Sequence, residues 1–305
     1  MYKLGNLIGG DEEHKKNSFF LVLLAIIFLV SFAAPIIFGV SYSTFFSPAD
    51  EDVVESDKLF PDAVSVPGPG TYLRVHAAKG LDPEAEKDFL FLVWLNLKKF
   101  PDVGEKIALV AKFDVSTPTR TGYTIGIARG EDSIYPILHW QNRAGTGGSY
   151  RFSDMRFLPK TWVMLAVTLQ KGKFLGMHSA MVSEGTVPQL ELLGGYELEP
   201  AVVPSSESGL VLGALSSGLF RGKLGPFGIF SGDNIIEELE DTLQQFLKEP
   251  LELPTAFSDK EVMLWSIDGV TDLSQNAHTI EAKGAVWTHK KKKKGKKGRR
   301  LSPNS

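Results

Sequence analysis

One uninterrupted apolar run near the N-terminus constrains this chain more than any other feature. Residues Phe19–Val40 read FFLVLLAIIFLVSFAAPIIFGV and contain no charged side chain. As an α-helix these 22 residues would be about 33 Å long, which matches the ~30 Å hydrocarbon core of a bilayer. A cleaved signal peptide has a shorter apolar region and a small-residue cleavage site, whereas this run is followed by SYSTFF. The run therefore predicts one uncleaved transmembrane helix at residues 19–40.

Charges on the two sides of this run predict its orientation. Three lysines precede it, at positions 3, 15 and 16. After it, no lysine or arginine occurs before Lys58, whereas acidic residues do, among them Asp50, Glu51, Asp52 and Glu55. By the positive-inside rule, residues 1–18 form a cytoplasmic N-terminus and the rest of the chain lies on the other side of the membrane. The chain also has no cysteine and no Asn-x-Ser/Thr acceptor, which favours a bacterial envelope protein.

Charge also separates an acidic body from a basic C-terminus. Nine of the 33 basic residues lie within KKKKKGKKGRR: Lys290, Lys291, Lys292, Lys293, Lys294, Lys296, Lys297, Arg299 and Arg300. Without them, 24 basic residues stand against 36 acidic ones, a formal net charge of −12. We interpret residues 288–305 as a disordered tail that binds an anionic lipid or polysaccharide surface; the alternative is a solvated tail with no specific partner. A nucleic-acid partner is not expected, because the tail would lie outside the cytoplasm.

Between the span and the tail, the sequence predicts a stalk and one all-β domain. Residues 41–70 are acidic and rich in Pro, Ser and Gly, which is typical of a linker. Residues 71–287 contain short β-type runs separated by turn residues, and this pattern predicts a sandwich or barrel. The predicted strands are 72–76, 89–97, 107–113, 123–128, 137–141, 150–152, 162–169, 174–177, 210–214, 223–230 and 262–267.

One amphipathic helix is expected after SGDN. Asn234 would cap it, with Glu237 three residues later completing a reciprocal capping pattern. Its apolar stripe is predicted to lie on a sheet and consists of Ile235, Leu239, Leu243, Phe246 and Leu247.

The strand that begins at Trp162 is apolar on both of its faces. One face carries Val163, Leu165, Val167 and Leu169; the other carries Trp162, Met164, Ala166 and Thr168. Such a strand is central in its sheet, and Lys171-Gly172 supplies a tight turn into the next strand. Trp162 is therefore predicted to be a core residue and not a platform for a ligand.

Four segments, in this order, resemble the laminin-G-like, concanavalin-A-like jelly-roll family. They are DFLFLVWLNL (88–97), TWVMLAVTLQKGKFLGMHSA (161–180), LVLGAL (210–215) and FRGKLGPFGIFSGDNIIEEL (220–239). The resemblance covers about Tyr72 to Phe246 and implies an antiparallel jelly-roll sandwich. The chain departs from the family pattern where FLGMHSA replaces the usual Y-x-D-G. The resemblance also implies Ca²⁺ at the rim of the sandwich, for which Asp114 and Asp154 are candidates; capping or turn roles are the alternative.

The sequence favours a binding protein over an enzyme. Retaining glycoside hydrolysis requires two carboxylates about 5–5.5 Å apart. The nearest pattern, DPEAE (82–86), contains a proline and reads as a surface loop, and EELED (237–241) reads as the solvated face of the helix. A hydrolase whose carboxylates converge from distant strands remains an alternative. A structural subunit of an envelope assembly, which contacts protein, is a further one.

The best candidate for ligand binding is HWQNRAGTGG, residues 139–148. Trp140, Gln141, Asn142 and Arg143 combine an aromatic face with planar donors and acceptors, as sugar recognition requires. The alternative is that Trp140 belongs to the core and the other three form an ordinary polar loop. The sequence thus predicts a membrane-anchored, extracytoplasmic module that binds carbohydrate or protein.

Overall fold

The computed structural model describes the chain from residue 59 to residue 287, with short gaps. The described residues are 59–68, 70–78, 80–114, 121–155, 159–182, 189–198, 202–213, 220–258, 261–284 and 286–287. Within them, no helix has the length and apolar character needed to cross a membrane. The predicted span at 19–40 and the tail at 288–305 both lie outside these ranges.

The described residues form fifteen strands and one helix. The strands are β1 Val64–Val66, β2 Tyr72–Val75, β3 Asp88–Leu97, β4 Lys106–Phe113, β5 Gly122–Arg129, β6 Ile134–Gln141, β7 Gly147–Arg151, β8 Trp162–Gln170, β9 Phe174–Val182, β10 Leu190–Glu197, β11 Leu210–Gly213, β12 Gly222–Gly232, β13 Val262–Ser266, β14 Ile280–Lys283 and β15 Val286–Trp287. The helix, α1, spans Leu239–Lys248.

These strands build two antiparallel sheets. Sheet A has the order β10-β9-β8-β3-β12-β1-β15, and β13 also pairs with β12. Sheet B has the order β14-β2-β11-β4-β5-β6-β7. The prediction of an all-β antiparallel sandwich with one helix is confirmed at this level.

The main core lies between the two sheets. It is filled by alternate residues of the longest strands, such as Phe91 and Val93 of β3 and Val167 of β8, together with residues of sheet B such as Ile125 and Leu138. Because β-strand side chains point alternately to opposite faces, the remaining residues of β3 and β8 must face away from sheet B.

A second apolar cluster covers that outer face of sheet A. Trp94, Trp162 and Met164 project from the sheet into it, and Leu243 and Phe246 of α1 pack there. Trp162 is 1% exposed, so its predicted role in the core is confirmed. The double-sided apolar pattern of β8 is explained by α1, which adds a third layer on sheet A. The tight turn predicted after β8 is also present, with Lys173 N–H donating to the carbonyl of Gln170 at 2.8 Å.

The helix starts later than the sequence predicts. It begins at Leu239, its N-cap residue is Glu238, and no side chain caps it. Asn234 instead adopts a left-handed conformation with φ +63°, which asparagine tolerates well and which turns the chain before the helix. A carboxylate from β3 acts in this region, because Asp88 Oδ2 accepts a hydrogen bond from the Ile236 N–H at 3.1 Å. The predicted apolar stripe from Ile235 to Leu247 is buried as expected.

The start of the sandwich was also placed too late in the sequence. Residues 59–68 were assigned to the stalk, but β1 lies within them and pairs with β12. Phe60 is buried against Trp94 and Trp162, with ring centroids 5.1 and 4.6 Å apart. Residues 59–68 of the predicted stalk at 41–70 therefore belong to the folded domain, and residues 41–58 lie outside the described residues.

Candidate functional site

The outer face of sheet B carries a row of side chains that crosses all seven strands. Residues that are directly opposite in antiparallel strands share a face. The register gives the row Glu281, Arg74, Val211, Ala111, Thr124, His139 and Ser149, from β14 to β7. The single described helix lies on sheet A, so this row faces away from both the core and α1.

The middle of this face consists of small side chains, which we call the small-residue strip. Val211, Ala111 and Thr124 belong to the row above, and Gly126 of β5 lies one step further along the same face. Bulkier aromatic and charged groups stand on either side, on β14 and β2 and on β6 and β7. The face is therefore lower along its middle than at its two flanks.

The first flank is built around Tyr72 of β2. The Arg74 guanidinium lies 5.3 Å from the centre of the Tyr72 ring, and Lys283 Nζ lies 5.7 Å from it. Both cations thus contact the same aromatic ring, an arrangement that contributes about 0.5–1 kcal/mol per pair at exposed sites. Glu281, opposite Arg74, is 4.0 Å from the imidazole of His76.

The second flank is built around Tyr135 and His139 of β6. The Arg151 guanidinium of β7 lies 3.7 Å from the centre of the Tyr135 ring and also pairs with Asp154 at 3.3 Å. His139 Nδ1 is 3.3 Å from Ser149 Oγ, and its ring meets that of Phe113 edge to face at 5.5 Å. The two flanks therefore present a similar chemistry, an aromatic ring with a planar cation stacked on it.

Of the four residues predicted to bind a sugar, one lies on this face. Gln141 is in register with Gly122 and Gly147 on the outer side of sheet B, and its amide donates to the Gly145 carbonyl at 2.9 Å. Trp140 is fully buried and its indole N–H donates to the Val202 carbonyl at 3.0 Å, so its assignment as an exposed platform is wrong.

The other two residues of that set belong to the adjoining loop. Asn142 Oδ1 accepts hydrogen bonds from the N–H groups of Ala144 and Thr146, which makes Asn142 the organiser of the β6–β7 turn. Arg143 forms an exposed ion pair with Glu207 at 3.0 Å. The alternation along β6 explains the result, because a residue next to Gln141 must face the core.

The two aspartates considered for Ca²⁺ lie at opposite ends of sheet B. Asp114 follows β4, whose last residue Phe113 is in register with the first residue of β7. Asp154 follows the far end of β7. The pair therefore cannot bind one ion, and among the described residues no group of three or more His, Asp or Glu side chains converges as a metal site.

A buried ion pair beside the core was not predicted. Lys112 of β4 is fully buried, and its Nζ lies 2.8 Å from Asp82 Oδ2 and also donates to the Ser206 carbonyl. Burial raises the pKa of Asp82 above its ordinary value, and the hydrogen bond and charge of Lys112 offset only part of that increase. The pair joins the β2–β3 loop, β4 and the β10–β11 loop. In the same DPEAE segment, Glu84 forms a separate, exposed ion pair with Lys87 at 3.1 Å.

A β-bulge explains why a lysine points inward at this position. The register of β4 against β5 shifts between Ala108 and Val110, and Leu109 and Val110 are both buried in the core. The shift reverses the alternation, so Lys112 faces the core while Ala111 and Phe113 face outward. The same bulge thus builds both the ion pair and the small-residue strip.

A polar loop between β13 of sheet A and β14 of sheet B holds the first flank in place. The buried Asp272 carboxylate accepts hydrogen bonds from the N–H groups of Trp265, Ser274 and His278, and His278 Nδ1 lies 2.7 Å from its Oδ2. Burial raises the pKa of Asp272, but these hydrogen bonds lower it more, so the pKa is well below its ordinary value. This loop leads into β14, which carries Lys283.

Comparisons with known proteins return similar structures but no family. No family model matches the chain, and no curated protein matches it. The native heptameric SAP-like pentraxin from Limulus polyphemus is 11% identical over 55% of this chain and 74% of its own, with a TM-score of 0.38. The binding domains of botulinum neurotoxin serotypes G and D are 11% and 12% identical over 59% and 62% of this chain, with TM-scores of 0.42 and 0.43. The chain spans less than half the length of these two toxin domains, 41% and 42%.

Proposed function

We propose that this protein is a membrane-anchored binding module that recognises carbohydrate outside the cytoplasm through the outer face of sheet B. Residues 19–40 cross the membrane, residues 1–18 are cytoplasmic, and a laminin-G-like sandwich presents the ligand-binding face. The apolar run and the lysine asymmetry around it support the anchor and its orientation.

The observation that carries the proposal is the pair of tyrosine–cation stacks on either side of the small-residue strip. The C–H face of a sugar ring stacks on an aromatic ring, while its hydroxyl groups require planar donors and acceptors beside that ring. Tyr72 with Arg74 and Tyr135 with Arg151 supply both groups on each flank. Between them lie small side chains, of which Val211 and Ala111 are each 7% exposed.

The spacing of the strands fits an extended ligand. Four inter-strand steps separate Arg74 of β2 from His139 of β6, which is about 19 Å at the usual strand separation. A short oligosaccharide that lies across the strands would contact both flanks at once. Two weak contacts on one rigid sheet give a higher overall affinity than either contact alone, because binding at the first flank places the ligand near the second.

The composition of these strands favours binding over glycoside hydrolysis on this face. Glu281 is the single carboxylate in the seven described strands of sheet B. Hydrolysis with retention or inversion requires two carboxylates on opposite sides of the glycosidic bond. The strands of this face do not supply such a pair.

The test is a glycan array probed with the full-length protein in a lipid nanodisc. Once a ligand is found, Tyr72→Ala and Tyr135→Ala should each reduce the affinity about tenfold or more, because one stacking surface is lost. Phe174→Ala is the matched control, since Phe174 is a half-exposed aromatic on sheet A. Unchanged affinity in the double variant Tyr72→Ala/Tyr135→Ala would place the ligand elsewhere.

A further inference from the structure

The charged residues of this protein are divided unevenly between its two sheets. The described strands of sheet B carry six cations and one carboxylate, whereas those of sheet A carry one cation and three carboxylates. The cations of sheet B are Arg74, Lys106, Lys112, Arg129, Arg151 and Lys283. Sheet B is therefore basic, although the chain without its C-terminal basic run has a formal net charge of −12.

Two of these cations project from the outer face of sheet B on the first flank. Lys283 is in register with Tyr72, and Arg74 lies two residues after Tyr72, so the three side chains share one face. Both cations are exposed, and within the described residues neither has a carboxylate at ion-pair distance. The nearby Glu281 lies 4.0 Å from His76 instead. These two charges are therefore available to an anionic ligand.

Two more exposed cations face the second flank. Lys106 is opposite Ala128 and Ala128 is opposite Tyr135, so Lys106 lies in one row with Tyr135, about 10 Å away at the usual strand separation. Among the carboxylates that the structure describes, Lys106 pairs with none. Arg151 stacks on the Tyr135 ring, and its ion pair with Asp154 is more than half exposed on both sides. Such a pair contributes little to stability, so a ligand can displace Asp154 from it.

The acidic charges elsewhere on the sandwich act only weakly at this face. Packed sheets lie about 10 Å apart, and the Debye length at physiological ionic strength is about 8 Å. The exposed carboxylates of sheet A, Glu191 and Glu197, are therefore largely screened at the outer face of sheet B. A ligand on this face meets a basic surface, although the protein as a whole is acidic.

We propose that the carbohydrate bound by the outer face of sheet B is a polyuronate, an acidic polysaccharide whose sugar rings carry carboxylate groups. The proposal rests on the carbohydrate-binding function proposed above and specifies the class of its ligand. Sugar rings stack on Tyr72 and Tyr135, and the carboxylates of the same polymer pair with the cations beside these two rings.

The two stacked guanidinium groups are the reason for choosing a carboxylate. A guanidinium presents its N–H donors in a planar fork that matches the two oxygens of a carboxylate. Stacking on a tyrosine ring restricts the orientation of Arg74 and Arg151 before the ligand arrives, so less conformational freedom is lost on binding. A neutral glycan would gain nothing from the four charges, whereas one polyuronate chain can pair with both flanks.

The test measures the binding of polygalacturonate by isothermal titration calorimetry. It uses the full-length protein in a phosphatidylcholine nanodisc, with the nine basic residues of the C-terminal run replaced by glutamine so that this run cannot bind the polymer. We expect binding that weakens about fivefold or more between about 0.05 M and 0.2 M salt, because exposed charges are screened. Dextran, a neutral polymer, should bind about tenfold more weakly or not at all.

Matched variants in the same background identify the cations. Arg74→Gln and Arg151→Gln should each weaken the binding of polygalacturonate about fivefold, because one charge-assisted contact is lost. Arg74→Lys keeps the charge without the planar fork, so its affinity should lie between those of Arg74→Gln and the unsubstituted arginine. Lys248→Gln is the control, since it removes an exposed cation of α1 on the other side of the sandwich and should leave the affinity unchanged.

Glu281 provides a variant with the opposite sign. Glu281→Gln removes the single carboxylate in the described strands of sheet B and with it a repulsion of the polymer. The affinity for polygalacturonate should therefore increase about twofold or more, while the affinity for dextran stays the same. An unchanged affinity for polygalacturonate would show that the polymer does not lie on this face.

The outcomes separate this proposal from the function on which it rests. Failure of polygalacturonate to bind refutes the polyuronate, and a neutral glycan that binds and is lost in Tyr72→Ala/Tyr135→Ala would still keep the carbohydrate site. Stronger binding of a sulfated dextran with one sulfate per sugar would assign the face to sulfated ligands and overturn the proposal. Binding of polygalacturonate that survives both Arg74→Gln/Arg151→Gln and the double tyrosine variant would refute both proposals.

Discussion

Lys112 Nζ lies 2.8 Å from Asp82 Oδ2, although the lysine side chain is 1% exposed and the aspartate side chain 26% exposed. This difference in exposure predicts that removing Asp82 and removing Lys112 lower the free energy of unfolding by different amounts. Asp82→Ala leaves a buried ammonium group without its counter-charge, which should destabilise the fold by about 3–5 kcal/mol. Lys112→Met fills the same space with an apolar chain and leaves a carboxyl group whose pKa burial already raises, so this group can take up a proton and the cost should be smaller.

The double variant provides the control for this prediction. Asp82→Ala/Lys112→Met removes both charges and should be more stable than Asp82→Ala alone, because no unpaired buried charge remains. Urea denaturation of the three variants at pH 7 measures the differences. If Lys112→Met were as destabilising as Asp82→Ala, the ion pair would not be the reason for the cost.

The lowered pKa of Asp272 predicts that the stability of the fold depends on pH. Its pKa is lowered in the folded state, so it contributes stability that is fully present above the ordinary pKa of about 3.9 and is lost as the pH falls toward the folded value. Asp272→Asn should therefore be less stable than the wild type at pH 7, and the difference should narrow below about pH 4. Urea denaturation between pH 7 and pH 3 measures it.

An exposed leucine of the same loop is the control for that series. Leu273→Ala changes a 54% exposed side chain that carries no titratable group and should keep a small difference from the wild type at all pH values. A constant difference between Asp272→Asn and the wild type from pH 7 to pH 3 would show that its hydrogen bonds do not depend on the carboxylate charge.

The parts of the fold that were predictable are those whose local pattern agrees with their environment. β8 is apolar on both faces because the core lies on one side and α1 on the other. Apolar residues at consecutive positions in its sequence were enough to predict that both faces are buried. β10 escaped prediction because a bulge between Leu192 and Gly194 breaks its alternation. β1 and β14 are only three and four residues long, too short for a period to be read.

The candidate site was less predictable because it depends on register between distant strands. Nothing local in the sequence places Arg74 and His139 in one row across sheet B. Lys112 would be read as a solvent-exposed lysine of an alternating strand, and only the bulge in β4 turns it inward. Gln141 was predicted only as one of four residues in the HWQNRAGTGG segment; it lies on the outward face of β6 with Tyr135 and His139, whereas the same alternation turns Trp140 toward the core.

Because Trp162 is buried in the second apolar cluster, we expect this cluster to be as important for the stability of the fold as the core between the sheets. Its ring is buried among Phe60, Met164 and other residues of the outer face of sheet A. Trp162→Ala should destabilise the fold by about 3–5 kcal/mol, because a large cavity would form beneath the N-terminal segment. Chemical denaturation followed by the remaining tryptophan fluorescence measures this change.

An exposed residue on the same sheet is the control for that cavity. Leu192→Ala removes a 58% exposed side chain of β10 and should change the free energy of unfolding by less than about 0.5 kcal/mol. A Trp162→Ala protein that keeps wild-type stability would mean that residues 59–63 collapse into the space without loss.

The lysine asymmetry around residues 19–40 predicts the orientation of the whole chain in the membrane. Lys3, Lys15 and Lys16 should hold the N-terminus in the cytoplasm, so a tag at residue 1 should resist protease added to spheroplasts while the sandwich is digested. Detergent should expose the tag, which shows that the membrane protects it. Replacing the three lysines by glutamine and adding three lysines after Val40 should invert the pattern, because the more basic flank stays inside. A sandwich that is protected in the wild type would place the basic tail in the cytoplasm and exclude an extracytoplasmic role for the face of sheet B.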